Sequence, residues 1–342
     1  MRLRLSAALA LALAACGKTS EPDPQFTFAP VAGMSCADGS PTGIGLSRGG
    51  PEVLLFLNGG GACWNSCYCG GVSPGPFGAA ELAVGQAQLL PGTILDRKVA
   101  RNPFAGFTMV FVPYCTGDVH AGDAVQSYPA RVGCPSVGTW RHFGRRNVEA
   151  VLDWIGANLP RPTRIVVAGS SAGGFGALLG YDVVRKRWPE ASAVTVGLLD
   201  DSGPIFPPTA LDPSLTNAWW DSWALDSTVT PLCPGCKSDL SQIWSVLSGK
   251  YPRDLISLVS STDDPTIEGY FGLPPMSFAT ALDALSTQLD NLPSRNVATF
   301  RTSTRGHALL LSPASYRAGS TTLLDWLDPI AVGTGAFASA AP

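Results

Sequence analysis

Six apolar runs of strand length alternate with segments of helical spacing, and this alternation constrains the fold more than any other feature of the chain. The runs are Val53–Leu57, Phe107–Val112, Arg164–Ala168, Ala193–Leu199, Leu255–Ser260 and Val297–Phe300. Helical patterns fall at about 142–158, 172–188, 238–248, 276–290 and 320–327. A strand that is apolar at nearly every position must be covered on both faces, and helices between strands supply the cover. The pattern predicts an α/β chain with a mostly parallel sheet and helices on both faces. In such sheets the reactive side chains gather beyond the carboxyl ends of the strands.

The two ends read as separate from this domain. Arg2 and Arg4 precede the short apolar stretch Leu5–Ala15, the layout of a secretory leader rather than a membrane span. Leu13-Ala14-Ala15-Cys16-Gly17 has the form of a lipobox, so Cys16 is the expected lipidation site and residues 1–16 the expected signal peptide. Residues 17–35, polar and Pro-rich at first, read as a tether. A single domain is expected over 36–330, with the Pro/Trp-rich stretch 204–235 as an inserted cap and 331–342 as a tail. Export to the periplasm or outer membrane as a lipoprotein follows from the leader.

The net charge of −3 and the lack of a basic run offer nothing to a nucleic acid. Eight cysteines follow Cys16: Cys36, Cys63, Cys67, Cys69, Cys115, Cys134, Cys233 and Cys236. An even number in an exported chain reads as disulfides. The rival is zinc, through Cys67-x-Cys69 and Cys233-x-x-Cys236.

The pattern G-x-S-x-G occurs three times, around Ser47, Ser73 and Ser171. Ser47 runs into Gly50-Pro51, and Ser73 is followed by Pro74, which blocks helix entry. Only Ser171, in Gly169-Ser170-Ser171-Ala172-Gly173-Gly174, has a strand before it and a helix pattern after it. The adjacent Ser170 is flanked by Ala168 and Ala172 where that frame needs glycines. A strand that turns sharply into a helix holds a serine hydroxyl out for reaction, the nucleophile elbow of α/β-hydrolases.

Such a serine needs a base, an acid and amide donors. Of His120, His142 and His307, only His307 follows Ser171, in the order Ser, acid, His usual for this fold. His142 reads as a surface or capping residue. Two carboxylate clusters lie between nucleophile and base: Asp200-Asp201 and Asp263-Asp264. The second follows the penultimate strand, where the acid usually sits, and the choice between Asp263 and Asp264 stays open. The amide of Ala172 is one expected oxyanion donor. The glycine loop Asn58-Gly59-Gly60-Gly61 after the first apolar run is the expected source of the other.

Together these segments resemble the pectin acetylesterase and Notum family of α/β-hydrolases, as a bacterial member. The resemblance rests on Phe56 to Asn65, Pro113-Tyr114-Cys115-Thr116-Gly117-Asp118, Gly144-Arg145-Arg146-Asn147, Gly169 to Gly174, Asp201-Ser202-Gly203 and Gly306-His307. It implies a Ser-Asp-His triad of Ser171, His307 and one of Asp263 and Asp264. It also implies an oxyanion hole of Gly60, Gly61 and Ala172, and no cofactor or metal. This chain departs from the family pattern at Asn58, where glutamate is usual, and near Ala62, where an aromatic residue is frequent.

The expected activity is serine carboxylic-ester hydrolysis on an acetyl or other short acyl ester, with an acetylated polysaccharide as one such substrate. Trp219, Trp220 and Trp223 read either as a sugar-stacking surface or as a packed aromatic cluster. One rival is a lipid or polyester hydrolase with a longer acyl pocket. The other is a non-catalytic, glycan-binding surface lipoprotein.

Overall fold

The computed structural model describes residues 21–88, 90–335 and 337–342. The expected leader, Cys16 and the start of the expected tether lie outside the described residues. Ten strands and ten helices concern us here. The strands are β1 (Thr27–Ser35), β2 (Pro41–Ser47), β3 (Glu52–Leu57), β4 (Thr108–Val112), β5 (Ala124–Tyr128), β6 (Val137–His142), β7 (Arg164–Ser170), β8 (Thr195–Asp201), β9 (Leu255–Ser261) and β10 (Val297–Thr302). The helices are α1 (Ser66–Cys69), α2 (Ala79–Gln88), α3 (Gly144–Asn158), α4 (Ala172–Arg187), α5 (Pro213–Trp223), α6 (Leu225–Thr228), α7 (Gln242–Lys250), α8 (Pro265–Phe271), α9 (Pro275–Asp290) and α10 (Leu323–Val332).

Eight strands form one sheet in the order β1-β2-β4-β3-β7-β8-β9-β10. From β4 to β10 neighbouring strands run parallel, and β1 and β2 add an antiparallel edge. This is the mostly parallel α/β sheet expected from the alternation, in the α/β-hydrolase architecture that the resemblance implied. The side-chain period of two sorts each strand between two cores. Val53, Leu55, Leu57, Ile165 and Val167 enter the larger one. Leu54, Phe56, Val166 and Ala168 enter the other, beneath α2 and α10.

The structure corrects the expected boundaries. Residues 27–35, read as tether, are β1, an edge strand paired with β2. Pro30, Gly33, Gly43 and Gly45 break the apolar runs, so hairpin pairing rather than composition secures these strands. The expected tail also pairs: the Ala340 N–H donates to Thr299 O at 2.8 Å, and Arg301 N–H donates to Ala340 O at 2.9 Å. Part of the backbone of β10's outer edge, at Thr299 and Arg301, is thereby satisfied.

All eight described cysteines are disulfide-bonded, as Cys36–Cys115, Cys63–Cys69, Cys67–Cys134 and Cys233–Cys236. The thiols of the zinc alternative are therefore consumed. Two of the bridges brace the loop beyond β3. Cys36–Cys115 closes a sequence separation of 79 residues, which stabilises by about 4–5 kcal/mol in the chain-entropy account.

His142 is fully buried at the end of β6 rather than exposed. Its Nδ1–H donates to Thr116 O at 2.9 Å, and its Nε2 accepts from Tyr128 Oη at 2.6 Å. Burial pushes its pKa down from 6.5 to about 4. A histidine that folding keeps neutral contributes stability above its unfolded pKa and loses it as pH falls through the folded value. His142→Gln removes that proton linkage. Its Tm deficit relative to the parent, measured by thermal melts at pH 7.5, is expected to shrink at pH 4.5; an equal deficit at both would contradict the assignment.

Candidate active site

Ser171 sits between β7 and α4 with φ +58° and ψ −124°. That backbone is rare for a residue with a side chain and costs of order 1–3 kcal/mol. Tight packing holds it. The Ser171 N–H donates to Asp201 O at 2.7 Å, and Ser171 O accepts from Gly174 N–H at 2.8 Å. The two glycines of the motif are space requirements. A Cβ on Gly169 would lie 2.2 Å from Gly173 O, and one on Gly173 would lie 1.9 Å from Leu57 O. The strand end, the helix start and the end of β3 are pressed together, and the serine hydroxyl is lifted above them.

The glycine loop after β3 meets this elbow directly. A Cβ on Gly59 would lie 3.0 Å from Ser171 Cβ. Gly60 and Gly61 have φ of +154° and +85°, open to glycine and poorly accessible to other residues. Asn58 anchors the loop through its backbone, donating N–H to Val112 O and accepting from His120 Nε2, at 3.0 and 2.9 Å. His120 is thus a buried neutral brace, its pKa lowered to about 4 by burial.

His307 follows β10 and is partly buried. Its Nδ1–H donates to Asp264 Oδ2 at 2.8 Å, and Asp264 is fully buried. The other oxygen, Asp264 Oδ1, caps α8 by accepting from Thr266 N–H and Ile267 N–H at 3.1 and 3.0 Å. The cap fixes the carboxylate so that its second oxygen faces the imidazole. Nδ1 then holds the proton, and Nε2 is the ring's available base. Asp263, the neighbour left open by the sequence, turns outward to Arg305 Nη1 at 3.0 Å.

Asp201 has a different place. One of its oxygens accepts from Ser170 Oγ and Leu310 N–H, at 2.6 and 2.9 Å, and the other from Leu309 N–H at 2.9 Å. Ser202 Oγ accepts from Ala308 N–H at 3.0 Å. The residue before Ser171 and the three residues after His307 are thereby tied to the end of β8. Burial raises the Asp201 carboxyl to about 6, against the pull of these donors. Asp200, equally buried, is pushed well above the carboxylate range by burial and by Asp201.

Beside Ser171 lies a cavity of about 30 Å³ bordered by Gly61, Ala172, Phe175, Trp219, Tyr270 and Phe271. Trp219 and Trp223 stack at 5.5 Å between ring centroids. Trp219, Trp220 and Trp223 are all buried, so they form a packed cluster and not a stacking surface for sugars. The stretch 204–235 carries α5 and α6, and its Trp219 walls the cavity. The sequence did not reveal Tyr270 and Phe271 as cavity residues. They lie on α8, which follows too closely on Asp264 to show its own periodicity.

Among the described residues, no group of three or more histidine, cysteine or acidic side chains is placed to hold a metal ion. No described helix is long and apolar enough to cross a membrane.

Comparison with known proteins gives a consistent relationship. The chain is 32% identical over 184 residues to the human palmitoleoyl-protein carboxylesterase NOTUM, covering 50% of this chain and 34% of that protein. It is 26% identical over 181 residues to pectin acetylesterase 4 of Arabidopsis thaliana, covering 51% of this chain and 41% of the relative. These alignments thus span well under half of the relatives' length. The structure of the Wnt deacylase Notum from Drosophila shares the fold, with a TM-score of 0.64 at 19% identity over 91% of this chain and 95% of that one. The pectinacetylesterase family model matches residues 22–251, which takes in the glycine loop, the elbow and the β8 motif, and the chain belongs to that family.

Proposed function

We propose that the protein is a serine carboxylic-ester hydrolase acting on acetyl and other short acyl esters. The observation that carries this reading is the Asp264–His307 pair, tied through Asp201 to the elbow of Ser171. In the proposed reaction Ser171 Oγ attacks the ester carbonyl carbon while His307 Nε2 takes its proton. The backbone N–H groups of Gly60, Gly61 and Ala172 receive the oxyanion. The carbonyl re-forms, the C–O bond to the alcohol breaks, and His307 passes its proton to the leaving alcohol. Water then attacks the acyl-enzyme with His307 as base, releasing the carboxylic acid and restoring Ser171. Asp264 stabilises the imidazolium and keeps the ring oriented.

The small cavity supports a short acyl group. A space of about 30 Å³ is about one water's share of liquid volume. Its walls include Trp219, Tyr270 and Phe271, so a longer acyl chain meets these rings where an acetyl methyl does not. The expected result is that kcat/KM for p-nitrophenyl acetate exceeds that for the octanoate at least tenfold. An octanoate preference would favour the lipid or polyester hydrolase instead. The four disulfides support export to an oxidising compartment. Acylation of Cys16 belongs to the same proposal. Mass analysis of the mature N-terminal peptide tests it, and an unmodified cysteine or a cleavage elsewhere would remove the anchor.

A further inference from the structure

A second cavity, of about 430 Å³, opens on the α2 side of the sheet. Its walls include Phe56, Phe77, Phe111 and Leu95, and its rim carries Val84 and Leu311. Those two rim residues are 55% and 46% exposed. The volume lies within the range of small-molecule sites and is mostly apolar. Two lining residues connect it to the candidate active site. Asn58 precedes Gly59, whose Cβ position touches Ser171. Leu311 lies four residues beyond His307, directly after the segment that Asp201 clamps.

This second cavity and the small one share no lining residue: Asn58 borders the first, and Gly61 and Ala62 border the other. The small cavity beyond Gly61 has no wall from the histidine segment. The larger one is bordered by that segment through Leu311. The imidazole must deliver its proton to the leaving alcohol, so the alcohol portion of an ester lies on the histidine side of the serine.

Resting on the esterase reading above, we propose that this cavity binds the alcohol portion of the substrate, and that this portion is an aliphatic chain or aromatic ring rather than a sugar. Of the polar lining residues Asn58, Glu81 and Gln86, Glu81 already accepts from Gly78 N–H and Gln86 is paired with the Phe26 backbone, so the mainly apolar walls offer a carbohydrate few hydrogen-bond partners, whereas each buried methylene gains about three- to fourfold in affinity.

The acyl group is held constant in the test. Ethyl acetate, hexyl acetate and peracetylated xylose are compared as substrates of the full chain and of Gly85→Trp. Gly85 is a helical lining residue whose Cβ position meets nothing within 4 Å, so an indole can be placed at the cavity wall without a backbone clash; Val84→Lys, at the rim, is a second variant should the first fold poorly. The parent is expected to show kcat/KM for hexyl acetate at least about tenfold above ethyl acetate, with the xylose ester lower than hexyl acetate. Both variants should erase the chain-length gain, bringing kcat/KM for hexyl acetate to within about twofold of that for ethyl acetate. A variant that keeps the gain, or a parent that prefers the xylose ester, overturns the proposal. Binding of octan-1-ol to Ser171→Ala, measured by calorimetry with and without Gly85→Trp, separates the two readings. If no acetate is turned over yet octanol binds and Gly85→Trp abolishes it, the esterase reading falls while the cavity's ligand class stands. Absence of octanol binding overturns the cavity assignment whatever the activity.

Discussion

Ser171→Ala is expected to lower kcat on p-nitrophenyl acetate by at least about a thousandfold, because the covalent route is lost while amide donors and binding remain. The variant should fold. Ser171 is held by its backbone bonds to Asp201, Gly174 and Phe175, and alanine keeps all of them. A fluorophosphonate probe should label the parent on the peptide carrying Ser171 and leave the variant unlabelled. The neighbouring Ser170 is the internal control. Its hydroxyl donates to Asp201 at 2.6 Å and the residue is buried, so it should not react. Unchanged hydrolysis in Ser171→Ala, or a label on another serine, would remove the elbow from the mechanism. A parent that neither hydrolyses the ester nor takes the label would revive the non-catalytic, glycan-binding reading.

The pair Asp264→Asn and Asp263→Asn should separate by two orders of magnitude or more in kcat. Asparagine at 264 remains a good helix cap, so its oxygen still accepts from Thr266 and Ile267 and α8 keeps its start. Its amide group then faces His307 Nδ1, where two donors oppose each other. The ring turns or changes tautomer, and the proton no longer leaves Nε2 free to act as base. The expected loss is about 10²–10⁴ in kcat with a small change in Tm. Asp263→Asn removes only a partly exposed ion pair with Arg305, worth at most about 1 kcal/mol, and should leave kcat within about twofold. Equal losses, or a larger loss at 263, would overturn Asp264 as the acid. Attention would then pass to Asp201, the remaining carboxylate near the histidine segment.

The candidate site was legible in the sequence where local backbone demands fix residue type. Gly169 and Gly173 are required by contacts of about 2 Å, so the elbow carries its own signature. Gly60 and Gly61 have positive φ, and their loop stands out for the same reason. His307 stands out by order and by its place after the last strand, since it is the one histidine after Ser171. The acid was harder to find. Asp263 and Asp264 are adjacent and chemically identical, and nothing local distinguishes them. His142 looked like a helix-capping residue because it precedes α3, but it belongs to β6 and points into the core.

The sequence by itself determined the α/β architecture, the parallel core of the sheet and the strand-turn-helix setting of the candidate serine, because these rest on hydrophobic period and on glycines that single backbone positions require. The tertiary structure decided matters that depend on residues meeting across the chain. β1 and β2 exist through hairpin pairing that weak local propensity could not announce. Asp264 faces the histidine because its other oxygen is held by the α8 cap, while Asp263 is drawn outward by Arg305. Trp219 from α5 and Tyr270 and Phe271 from α8 converge to make the cavity beside Ser171 small. Side chains 51 and 52 residues apart in sequence carry no local mark of that convergence, and only packing defines it.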